Sequence, residues 1–126
     1  TGGAGGDVLM GGTGSDTFDF DFASHSVGSS RDALRGADGG KSFDGAGATA
    51  GDRIDVSGID ANAGVTGNQA FAWTGSGTGR IAAVELGNSA TLIRANTDGD
   101  IAFELELVIE DGSTQASVYT GADFIL

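Results

Sequence analysis

The chain has no cysteine and no proline, a single histidine, a single tryptophan and only six basic residues. Without cysteine there is no disulfide framework, no thiolate metal site and no thiol nucleophile. With His25 as the lone histidine, neither a zinc triad of histidines nor an H-E-x-x-H helix can be assembled. Ser24 beside His25 sits in no nucleophile-elbow motif, so the chain is read as carrying no catalytic residues. No apolar run approaches the roughly 20 residues of a membrane span, and the beginning lacks the basic-then-apolar layout of a cleaved leader. Stable membrane insertion is therefore not expected, and any export address must lie elsewhere. Six Lys and Arg oppose 18 Asp and Glu, a net charge of −12. That field repels phosphate backbones, so nucleic acid is not expected as a partner.

What the sequence does have is glycine, 24 of 126 residues. Such a share signals many turns, and with no proline present it is not of the collagen or proline-rich linker kind. The length is that of one domain, residues 1–126, able to bury a core of its own. Packing, with bound cations relieving carboxylate repulsion, has to supply its stability.

The strongest signal is an internal repeat. Gly2-Gly3-Ala4-Gly5-Gly6-Asp7-Val8-Leu9-Met10 is followed directly by Gly11-Gly12-Thr13-Gly14-Ser15-Asp16-Thr17-Phe18-Asp19. Both copies read G-G-x-G-x-D-x-U-x, with U a large apolar residue. Six glycine-rich residues form a turn that exposes carbonyls and one carboxylate, all hard oxygen donors; three strand residues then turn one apolar side chain inward. Each unit is half of a flat coil. Stacked turns place the acid of one layer over the next, where a Ca²⁺ ion takes its six to eight oxygens from two neighbours. On this reading Asp7 and Asp16 are cation ligands, and metal binding and folding are one event.

Beyond the repeats the pattern is that of an all-β domain. Phe18, Phe20 and Phe22 alternate with polar residues, predicting a strand that leaves the last repeat. Residues 23–52 are polar, glycine-rich and aperiodic, and are read as an irregular, partly metal-tied loop. Arg53–Val56, Phe71–Trp73, Arg80–Leu86 and Thr91–Arg94 are short apolar-bearing runs, and Ile101 to Ile109 alternate strictly. Thr97-Asp98-Gly99-Asp100 then falls in a hairpin turn, and Ser117–Thr120 and Phe124–Leu126 supply the last strands. Residues 1–22 are thus the repeats and 53–126 a β-rich cap.

A second acidic rhythm sits in that hairpin. Asn96, Asp98, Asp100 and Glu104 are spaced as positions 1, 3, 5 and 9 of a calcium loop, although Ile101 stands where an EF-hand has glycine. Either these are ligands or they are solvated acids on a hairpin tip. Trp73 and Tyr119 are read as core residues ahead of the alternative, a sugar-stacking platform.

The two nonapeptides, the run Gly51-Asp52-Arg53-Ile54-Asp55-Val56-Ser57, the run Gly67-Asn68-Gln69-Ala70-Phe71 and the ending Ala122-Asp123-Phe124-Ile125-Leu126 resemble the RTX (repeats-in-toxin) proteins. The whole chain is similar to their serralysin-type C-terminal domain. The resemblance implies a parallel β-roll at the N-terminus, Ca²⁺ in its turns, and a β-sandwich-like C-terminal cap. It further implies a secreted, extracellular protein exported by a type I ABC transporter that reads the uncleaved C-terminus. By motif position it adds carbonyls of Gly3, Gly5, Gly12 and Gly14 to the ligand set. Asp32 becomes a ligand in a partly kept stretch after the roll, with Asp38 standing in for an acid replaced by Gly36. Because layers that share an ion lie two repeats apart in that family, further repeats are expected upstream of Thr1. The parent is expected to be a hydrolase such as a metalloprotease; the rival readings are an adhesin or carbohydrate-binding β-domain, and a stable cap for the upstream domain.

Overall fold

Short apolar-centred strands alternate between two sheets, and the reason lies in their spacing along the chain. The computed structural model describes residues 1–37, 40–87 and 89–126. Its strands are β1 (Val8–Leu9), β2 (Thr17–Asp19), β3 (Asp32–Leu34), β4 (Arg53–Asp55), β5 (Ala72–Trp73), β6 (Arg80–Gly87), β7 (Ala90–Asn96), β8 (Leu105–Ile109) and β9 (Phe124–Ile125). The larger sheet has the order β1-β3-β8-β7-β6-β5 and the smaller one β2-β4-β9. Pairing is parallel from β1 through β3 to β8, and likewise from β2 through β4 to β9. The chain therefore passes three times from the larger sheet to the smaller: β1 to β2, β3 to β4, β8 to β9. Each pass is one coil.

The coils are held by what their strands turn inward. Leu34 of β3, Ile54 of β4 and Leu107 of β8 are fully buried, and Phe18 of β2 and Phe124 of β9 nearly so, all in one hydrophobic cluster. Leu9, the large apolar residue of the first repeat, packs against the same cluster. Burying each such side chain contributes about 1.5–3 kcal/mol. Between β4 and β8 the chain inserts residues 56–104, whose β6 and β7 pair antiparallel with each other, β7 also pairing antiparallel with β8, and so widen the larger sheet. The fold is all-β. Among the described residues no helix is long and apolar enough to cross a membrane.

Several elements differ from the expectation. Asp32–Leu34 is a strand at the heart of the larger sheet, although it lies in the stretch read as irregular loop. Within 53–126, β4 pairs with β2 of the repeats and β8 pairs with β3. The strand expected over 101–109 begins only at Leu105, and Ile101 is 97% exposed. Asn96 is the cause: its side-chain amide donates to the carbonyls of Asp100 and Ala102, each at 3.0 Å, and folds 97–104 into a loop. Ala116–Val118 forms a 3₁₀ turn where a strand was expected, and Phe22, beyond the end of β2, is exposed beside His25.

Candidate metal sites

The two glycine-rich turns have matching backbones. Gly3 and Gly12 have φ of 87° and 91°, and Gly5 and Gly14 have φ of 110° and 119°. These values lie in the region that only glycine enters without strain. Each turn also folds its own acid back across its first glycine. A Cβ on Gly2 would fall 2.8 Å from Asp7 Oδ2, and one on Gly11 would fall 2.7 Å from Asp16 Oδ2. Asp7 and Asp16 therefore point into their turns.

Above each of these acids the second coil supplies another. The Asp7 amide donates to Asp32 Oδ1 at 2.9 Å, and the Asp16 amide donates to Asp52 Oδ1 at 2.8 Å. Asp32 is fully buried and Asp52 is 3% exposed. Asp32 opens β3 and Asp52 immediately precedes β4, just as Asp7 precedes β1 and Asp16 precedes β2. The acid position of the nonapeptide persists in space where the nine-residue rhythm has gone from the sequence.

The buried oxygens are incompletely satisfied. Among the described residues Asp7 Oδ2, Asp16 Oδ2 and Asp32 Oδ2 find no hydrogen-bond partner. Leaving a buried carboxylate oxygen unpaired costs free energy that a cation would recover. Burial pushes the Asp32 carboxyl above the ordinary carboxylate range; the Asp7 hydrogen bond opposes this, and the Asp7 charge adds to it. Orphaned acid oxygens beside glycine turns, with no basic side chain bonded to them, fit a hard divalent cation. Sequence reasoning passed over Asp52. Its signal was an acid directly before a three-residue run with a large apolar residue at its centre, Arg53-Ile54-Asp55, as Asp16 stands before Thr17-Phe18-Asp19.

The hairpin loop forms a second cluster. One ligand oxygen each from Asp98, Asp100 and Glu104 lies within 4.8 Å of the others, close enough to share one metal ion. Asn96, the remaining residue of the expected ligand set, organises the loop. It is fully buried and accepts from the Asp98 amide at 3.0 Å. Glu104 also accepts from the Thr97 amide at 2.7 Å. Asp38 lies outside the described residues.

Two parallel-stranded stacks joined coil by coil, with buried acids above glycine turns, define the class of fold. No family model matches the chain, and no curated protein matches it in sequence. Among solved structures it is similar to a subunit of the mannuronan C5-epimerase from Azotobacter vinelandii, with a TM-score of 0.53 and 23% identity over 98% of this chain. The chain spans 60% of that subunit's length, and at this identity the likeness establishes a shared fold.

Proposed function

We propose that the chain is a calcium-binding, folding and type I secretion module at the C-terminus of an extracellular bacterial protein, a parallel β-roll of the RTX kind with no catalytic residues. The observation that carries this reading is the pair of glycine turns with matching positive φ angles, each holding an acid whose inner oxygen is buried without a partner among the described residues. Asp7, Asp16 and Asp32, with carbonyls of Gly3, Gly5, Gly12 and Gly14, are the residues that hold calcium. Asp98, Asp100 and Glu104 offer a separate site. Bound calcium supplies the positive charge that a chain of net −12 lacks among its own residues.

The chain's own residues then act as a folding switch. Where free calcium is scarce, the acids repel one another and the glycines keep their entropy, so the chain stays loose enough to thread a transporter. Outside the cell, modules of this kind bind with Kd on the order of 10⁻⁴–10⁻³ M, and the stacked turns close. Asp123 and Phe124 of the terminal motif are buried once folded, so a transporter reads them before the sheets form. The upstream part of the parent is a hydrolase such as a metalloprotease. The carbohydrate-binding alternative relies on Trp73, whose ring stacks on Phe124 with centroids 4.8 Å apart, so one face is already taken. Circular dichroism with and without calcium tests the proposal. A gain of β signal on calcium addition, reversed by chelator, is expected; a spectrum indifferent to both rejects it.

A further inference from the structure

The acid ladders on the two turn edges look alike in register but differ by one hydrogen bond. Among the described residues Asp32 accepts only from the Asp7 amide, and its Oδ2 is buried with no partner; Asp7 Oδ2 is in the same condition. Two free acid oxygens meet at that edge. Asp52 accepts from the Asp16 amide through Oδ1 and from the Asp44 amide through Oδ2, each at 2.8 Å. The Asp52 amide in turn donates to the Asp44 carbonyl at 2.8 Å. Among the described residues Asp16 Oδ2 is then the single orphan there.

The closure has a clear origin. Residues 44–52 bend back on themselves, and a Cβ on Gly51 would lie 2.5 Å from the Asp44 carbonyl, so only glycine admits the approach. The bend brings the Asp44 amide to the oxygen that the other edge leaves open. Hydrogen bonds from backbone amides stabilise an ionised carboxylate without any metal. On the other edge the Asp32 amide donates to Ser26 Oγ at 2.7 Å, and among the described residues no amide reaches Asp32 Oδ2.

Resting on the calcium reading above, we infer that the two edges take cations unequally: the Asp7–Asp32 edge, with two unpartnered acid oxygens, is the tighter divalent-cation site, whereas at the other edge Asp52 is a hydrogen-bonded staple and Asp16 alone is left to face an ion. The second coil therefore stays attached on one side when calcium is removed and opens on the other. Asp52 is a positioning residue and Asp32 a ligand.

Two measurements on the full chain test this. In amide hydrogen exchange on the unaltered protein, calcium slows the Asp7 amide at least tenfold and the Asp16 amide less than twofold, because the latter is already protected in chelator. By calorimetric calcium titration, Asp32→Asn weakens the tightest binding event at least tenfold, while Asp52→Asn leaves it within twofold and lowers the melting temperature in chelator. Equal gains in protection at both amides, or equal loss of affinity in both variants, overturn the inequality while leaving calcium binding intact. If the unaltered protein takes up no calcium, the calcium reading and this inference fall together.

Discussion

Asp52 lies against Asp16 although 36 residues separate them, with the Asp16 amide donating to Asp52 Oδ1 at 2.8 Å. Asp32 stands in the same relation to Asp7 across 25 residues. Coil two thus keeps the acid of the nonapeptide while discarding its glycine turn, and the intervening chain takes over the turn's work. At one edge it does so completely, through the Asp44 amide, and at the other it does not.

The Asp32 carboxyl, raised above its ordinary value of 3.8 chiefly by burial, makes the ion-free protein sensitive to pH. A carboxyl whose folded pKa is raised contributes stability that is present below the unfolded value and lost as pH rises through the folded value. Asp32→Asn keeps the acceptor for the Asp7 amide and removes the charge. In chelator at pH 7 the variant should melt at or above the unaltered protein, and its advantage should shrink as pH falls toward 4. Thermal denaturation of both proteins at several pH values checks this, and an advantage that grows on acidification contradicts it.

Gly12→Ala places a Cβ at φ 91° and should destabilise the fold by about 1–2 kcal/mol with or without calcium. Gly11→Ala acts differently, since its Cβ would crowd Asp16 Oδ2 at 2.7 Å and displace that side chain. It should lower calcium affinity more than ion-free stability. Chemical denaturation paired with calcium titration separates the two effects.

Asp123 is fully buried and accepts from the amides of Gly47 and Thr120, each at 2.7 Å. Asp123→Ala strips both donors of their acceptor and should cost about 2–3 kcal/mol. The loss reads as a lower urea midpoint with an unchanged slope.

Leu107→Ala on β8 removes a fully buried side chain from the third coil. Its cost should be about 2–5 kcal/mol, and calcium should not restore it, because no ligand oxygen is involved. Equilibrium unfolding in calcium and in chelator gives the comparison.

The turns were legible because their chemistry is local. Two copies of one motif fix the positive φ of Gly3, Gly5, Gly12 and Gly14, and no distant contact is needed to set them. The β6–β7 ribbon was also readable, since Arg80–Gly87 and Ala90–Asn96 are long enough to show an apolar strand pattern. β3 was not, because three residues, Asp-Ala-Leu, cannot display a period, and parallel partners in β1 and β8 make it a strand. Ile101 and Phe103 followed the alternation of β8 and were wrongly assigned to it. The hydrogen bonds of Asn96 override that pattern locally. Asp52 escaped notice because its meaning is positional: nothing near it in sequence reveals that Asp16 is its neighbour.

The order in which strands join the sheets has a kinetic consequence. β1, β3 and β8 are contiguous in space, yet β8 begins at Leu105, and the smaller sheet is completed only by Phe124–Ile125. Few of these parallel pairings can form between near neighbours, so loop closure must come first and assembly should be slow. A shortened chain ending before residue 124 has no route to the finished arrangement, and the interval before closure is set by topology as well as by the supply of ions.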